Sequence, residues 1–118
     1  GSFLSVHEAP QRIVKKSMSD SVELFPGMIL SNEPGYYKEN EYGIRTENLV
    51  VINENANKKF YFETISWCPI DLDLIDSALL NEIEKEWLNR YHSQVYEKLE
   101  SFLGDEERNW LKRVTLKI

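Results

Sequence analysis

All four prolines and four of the five glycines of this chain lie within its first 70 residues. From residue 71 to 118 there is one glycine, Gly104, no proline, and seven basic against eleven acidic side chains. A chain whose turn formers are confined to one part cannot carry one architecture from end to end. The first part is rich in β-branched and aromatic residues and predicts an antiparallel sheet; the second predicts helices. The fold class that follows is α+β, with the change near residue 70.

Within the first part, residues 3–7 read as a short strand closed by Pro10. Phe25-Pro26-Gly27 signals a turn, and residues 28–33 a strand interrupted by Pro34-Gly35. The polar run 38–41 predicts a loop, residues 42–52 one long strand, residues 53–57 a solvated turn, and residues 60–65 the return strand. Three or four strands in one antiparallel sheet is the simplest assembly. In the second part Ser77 is the expected helix N-cap. Leu80, Ile83, Trp87, Tyr91, Val95, Leu99 and Phe102 recur at steps of three and four, the spacing of one helical face. Gly104 is placed to stop that helix, and Asp105 to cap a last short one carrying Trp110, Leu111 and Val114.

Charge and cysteine content narrow the function classes. A net charge of −6, without a long Lys/Arg run, argues against nucleic acid or an anionic membrane as partner. No apolar run reaches the length of a membrane span. Cys68 is the single cysteine, so no intrachain disulfide forms and a reducing, cytoplasmic setting is the default. No nucleophilic partner for Cys68 is identifiable, and it reads as a small buried apolar residue. No phosphate-binding glycine loop or nucleophile elbow occurs.

The chemically informative stretch is Ser31-Asn32-Glu33-Pro34-Gly35-Tyr36-Tyr37, followed by Gly43-Ile44-Arg45-Thr46-Glu47-Asn48. Side chains alternate between the faces of a strand, so Arg45, Glu47 and Leu49 share one face. If the strand ending at Glu33 pairs antiparallel with this one, the two carboxylates converge. On strands taken to be buried, such charges must be paired or bind a metal. Physics alone leaves both open: structural ion pairing through Arg45, or a metal or acid–base site. A lone His7 beside Glu8 is either a surface or hydrogen-bonded histidine or a proton carrier. His92, beside Tyr91 on the helix, reads as packing or exposed.

These same residues carry a family resemblance. Ser-Phe-Leu-Ser-Val-His-Glu, then Gly-Met-Ile-Leu-Ser-Asn-Glu-Pro-Gly-Tyr-Tyr, then Tyr-Gly-Ile-Arg-Thr-Glu-Asn-Leu-Val-Val resemble the C-terminal part of aminopeptidase P, a pita-bread metallopeptidase related to prolidase, creatinase and methionine aminopeptidase. Trp87-Leu88-Asn89-Arg90-Tyr91-His92 and Trp110-Leu111 resemble the C-terminal extension of its long form. The resemblance implies that residues 1–70 are the C-terminal portion of the pita-bread catalytic domain and 71–118 the helical extension. It implies a metal-dependent aminopeptidase that removes the N-terminal residue from peptides with proline second, using two divalent ions, manganese before cobalt or zinc. Position by position, Glu33 would be a metal ligand and the handler of the attacking water's proton, and Glu47 the carboxylate bridging both metals. His7 would steady the scissile carbonyl, and Arg45 and Tyr37 would orient the ligands.

The family centre also needs two Asp and one His that align ahead of Gly1; Asp20 lies in a polar linker. The chain opens on Gly1-Ser2 without a methionine, and the expectation is that it begins inside a larger enzyme. With two of five ligands it should hold metal weakly and be inactive alone, its missing partner being the upstream part of the catalytic domain. Two alternatives remain: a non-enzymatic pita-bread-like binding module, and a dimerisation domain in which the amphipathic helix makes a homodimer. Retention of Glu33, Glu47, Arg45 and His7 favours the enzyme.

Overall fold

The computed structural model describes residues 10–13 and 22–118. The strand expected over residues 3–7, with His7 and Glu8, and Asp20 lie outside the described residues. The chain divides into two compact units, Gly1–Ser66 and Trp67–Ile118. The first holds the strands and the second the helices, an α+β protein.

Among the described residues five strands form in the first unit: β1 (Ile29–Asn32), β2 (Gly35–Lys38), β3 (Tyr42–Arg45), β4 (Asn48–Glu54) and β5 (Phe60–Thr64). They make two antiparallel sheets, β1-β4-β5 and the hairpin β2-β3. The expected single sheet is therefore corrected, as is the long strand over 42–52, which breaks at Thr46-Glu47. The cause lies opposite: Pro34 has no N–H to donate to a ladder. The break is bridged by the Thr46 N–H, which donates to the Pro34 carbonyl at 3.1 Å. Pro34-Gly35 interrupts the strand as expected, but β2 follows it, where no strand was expected.

The register does not slip across this break. Asn32 pairs with Asn48 on one side and Gly35 with Arg45 on the other. Residues 29–38 and 42–51 are therefore one continuous antiparallel ribbon in which Glu33 lies opposite Glu47. Asn40 turns the ribbon's tip with φ 58°, a left-handed conformation that asparagine tolerates. Leu30, Val50 and Ile52 bury one face of β1 and β4, with Leu24 and Met28 packed against them.

The second unit opens with two short 3-10 turns, Leu72–Leu74 and Ser77–Leu79, each capped by the aspartate before it, Asp71 and Asp76. The expected cap at Ser77 is thereby corrected, because Asp76 draws residues 77–79 into a turn of their own. Helix α1 (Glu82–Leu99) starts at Asn81 in a full capping box with Glu84. The buried face is Leu88, Tyr91, His92 and Val95. Ile83, 78% exposed, and Phe102, 82% exposed, are outside it, so the buried stripe is rotated from the expected one. Gly104 does not stop α1, which ends in a 3-10 turn at Glu100–Phe102; it is instead the N-cap residue of α2 (Asp105–Val114), with Asp105 in the first turn.

Tyr91, Val95 and Leu111 form the core, with Trp67, Ile70 and Val114 among the residues packed on it. Tyr91 is stacked on Trp67 at 5.8 Å and on Trp87 at 5.6 Å between ring centroids. Its hydroxyl donates to the Cys68 carbonyl at 2.7 Å. Cys68 itself is exposed, correcting the expectation of a buried thiol: the segment is anchored through its backbone and through Trp67 and Ile70 on either side. His92 is fully buried, and its Nε2 accepts from the Ile70 N–H at 3.1 Å. That acceptor role fixes the proton on Nδ1, which has no hydrogen-bond partner. The Leu116 backbone lies near enough to favour a charged ring without reaching hydrogen-bond geometry; burial outweighs it and lowers the His92 pKa.

Candidate metal centre

The break in the ribbon places the charged groups. Glu33 and Glu47 are the residues at which the two strands leave one sheet for the other, opposite each other, and both side chains reach Arg45. Arg45 Nη1 is 3.3 Å from Glu33 Oε2 and 3.7 Å from Glu47 Oε2. Glu33 is also held from its other side: Ser31 Oγ, two residues earlier on the same face, donates to Glu33 Oε1 at 2.7 Å.

Tyr37 completes the cluster. Arg45 Nε donates to its hydroxyl at 2.8 Å, and the guanidinium carbon lies 5.9 Å from the ring centroid. The ring occupies space that only glycine leaves open. A Cβ on Gly43, the cross-strand partner of Tyr37, would come within 2.7 Å of the ring, and one on Gly35 within 2.6 Å of the hydroxyl. Side chains at either position would push Tyr37 off Arg45. Sequence reasoning overlooked this role for the two glycines, although glycine two residues before Arg45 on the same strand face was the available signal. The Tyr37 hydrogen bond first, then the fields of Tyr37 and Glu33 and, least, of Glu47, raise the Arg45 pKa.

The cluster is not buried. The side chains of Arg45, Glu33 and Glu47 are 49%, 35% and 43% exposed, so the cost of sealing charges inside a sheet does not arise within this chain. Two carboxylates that meet at one cation suit a divalent ion that prefers oxygen ligands. They are a partial set: among the described residues no three His, Cys, Asp or Glu side chains are grouped to hold a metal ion. The donors therefore fit as a share of a site completed by other residues. His7 lies outside the described residues.

Comparison with known proteins gives this arrangement a family context. The model for the C-terminal region of peptidase M24 matches residues 58–118, and that for metallopeptidase family M24 matches residues 1–54. A probable Xaa-Pro aminopeptidase P of Coprinopsis cinerea is 45% identical over an alignment of 127 residues, covering 100% of this chain and 20% of the relative. That of Tuber melanosporum is 42% identical with the same coverage. The crystal structure of X-prolyl aminopeptidase from Caenorhabditis elegans, described as a cytosolic enzyme with a di-nuclear active site, matches with a TM-score of 0.73 and 32% identity, over 80% of this chain and 17% of that one. The chain spans about a fifth of the length of the curated relatives it matches.

Proposed function

This chain belongs to metallopeptidase family M24, and we propose that it is the C-terminal part of an Xaa-Pro aminopeptidase in which Glu33 and Glu47 supply two ligands of a dinuclear metal centre. The observation that carries the reading is the unbroken register that sets the two carboxylates opposite each other and within reach of one cationic group. Relatives named Xaa-Pro aminopeptidase P along the whole chain support the reaction class and the peptide substrate with proline second. The di-nuclear site of the nematode enzyme supports two ions. Manganese is the proposed metal, and the cytosolic description of that enzyme supports a cytoplasmic location. In this reading residues 1–70 are catalytic-domain sequence and 71–118 the helical extension.

Bound there, a pair of divalent ions supplies Lewis acidity and a water nucleophile at neutral pH. The chain's own residues do the rest. Glu33 would hold metal and stand ready to accept the proton of the attacking water, and Glu47 would be the second carboxylate ligand. Arg45, tied to Tyr37, keeps the carboxylates from swinging away under their mutual repulsion. His7 steadies the carbonyl of the scissile bond. The chain alone should be inactive, because its described residues offer two carboxylates and no third donor beside them. The test is hydrolysis of an Xaa-Pro peptide with manganese, by this chain alone and with the upstream part of a relative's catalytic domain added. No turnover alone and turnover in the mixture that is lost in Glu47→Gln support the proposal; turnover by the chain alone refutes the ligand count. The exposed aromatic rings of Trp87, Phe102 and Trp110 favour a second role for the helical unit, pairing with another copy, which sedimentation velocity tests.

A further inference from the structure

Glu33 and Glu47 are held unequally. Among the described residues Glu47 has one long contact, Oε2 at 3.7 Å from Arg45 Nη1. Glu33 is gripped at both oxygens: Oε2 by Arg45 at 3.3 Å, and Oε1 by Ser31 Oγ at 2.7 Å, the length of a hydroxyl bonded to a charged acceptor. From this asymmetry the geometry points to Ser31 as a positioning residue that presents Glu33 to the metal; the inference rests on the metal-centre reading above.

The physical argument is one of freedom. A glutamate has three rotatable bonds, and at a half-exposed strand end nothing in its backbone selects the rotamer that aims it at a partner. Arg45 cannot make the selection alone, because its guanidinium is shared with Glu47 and Tyr37. Ser31 can: it stands two residues earlier, on the same face, on a strand paired with β4, so the sheet fixes its Cβ and a single torsion places the hydroxyl on Glu33 Oε1. A hydrogen bond from that hydroxyl to Oε1, added to Arg45 at Oε2, holds the carboxylate at two points and leaves a lone pair on each oxygen for a metal. Glu47, without such a partner among the described contacts, is the ligand free to adjust. Partners of this kind, which orient a ligand without touching the metal, typically change metal affinity by about 10–100-fold when removed.

Two NMR readouts on this chain test the inference: the Glu33 side-chain three-bond couplings without metal, and the manganese concentration that half-broadens the methyl signals of Leu49, which pairs with Ser31 across the strands. Ser31→Ala should average the Glu33 couplings and raise that manganese concentration about tenfold. Ser31→Thr, which keeps the hydroxyl, should restore both, a rescue that a merely structural role for the position does not predict. Unchanged couplings and unchanged broadening in Ser31→Ala, with broadening lost in Glu33→Gln, would overturn the role of Ser31 and leave the metal centre standing. Leu49 broadening that ignores both Glu33→Gln and Glu47→Gln would overturn the metal centre itself, and the Ser31 inference with it.

Discussion

Replacing Tyr91 by phenylalanine removes one oxygen and leaves every other feature of the helical core in place. The ring is 4% exposed and stacked on Trp67 and Trp87, with interplanar angles of 19° and 5°, and phenylalanine keeps that burial and most of that stacking. What disappears is the hydroxyl bridge to Cys68. It donates to the carbonyl at 2.7 Å and accepts from the N–H at 3.4 Å, and the second bond is too long to count for much. Loss of the first costs about 1 kcal/mol net, rising toward about 3 kcal/mol if the abandoned carbonyl stays dry. Because Cys68 is exposed, water can replace the tyrosine, and the expected loss is about 1–2 kcal/mol. All three tryptophans, 67, 87 and 110, lie in the unit Trp67–Ile118, so tryptophan fluorescence during urea or thermal unfolding reads that unit selectively. For so small a unit each kcal/mol lowers the midpoint by roughly 4–8 °C. A midpoint within about 1 °C of the parent would refute the reasoning, since it would mean that stacking alone secures the segment around Cys68.

Three further outcomes are expected. The folded-state pKa of His92 is lowered by burial, so neutral imidazole is favoured by folding; its contribution is fully present above the unfolded value of about 6.5 and is lost as pH falls through the folded value. Tryptophan-monitored urea melts should therefore show the helical unit weakening below about pH 6.5, and a flat profile that His92→Gln does not alter would contradict the buried neutral ring. Ile52→Ala empties the centre of the strand core, at about 2–5 kcal/mol, and should abolish amide-exchange protection in β4 and β5; retained protection would show that the core lies elsewhere. Glu47→Gln should change stability by less than about 0.5 kcal/mol in metal-free buffer at physiological salt, because the contact it removes is long and exposed; a clear loss in denaturant melts would make Glu47 a structural partner of Arg45.

The α+β division was legible because turn formers and helix formers are segregated in the chain. The motif around Glu33 and Arg45 was legible because strand alternation needs only spacing. The break at Pro34 and Thr46 was not, since a proline's effect on the strand opposite depends on a pairing that spacing does not specify. At the helix start the signal was present and misread: Asn81 with Glu84 three residues on is a capping box, whereas Ser77 lies after Asp76, whose side chain takes the Ala78 N–H. The buried stripe of α1 was displaced because His92 counts as polar in any periodicity, and its burial depends on the Ile70 N–H, 22 residues away. Cys68 was misplaced for a related reason: residue type predicts burial of a free cysteine, but here the backbone, tied to Tyr91, sets the position.

The ribbon that carries Glu33 and Glu47 also limits how this stretch of chain can change length. The two carboxylates face each other because equal numbers of residues run from each of them to the hairpin tip, while β4 is pinned by β5 on its far side. Removing residues in matched pairs, one from each arm, shortens the hairpin and leaves the acids opposed. Removing a single residue forces a choice between a bulge and a one-step slide, and the slide turns one acid to the reverse face. Viable length variants between residues 33 and 47 should therefore differ by even numbers, or carry a bulge that absorbs the odd one. The loop at residues 39–41 acts in this sense as the gauge that sets the alignment of the two acids.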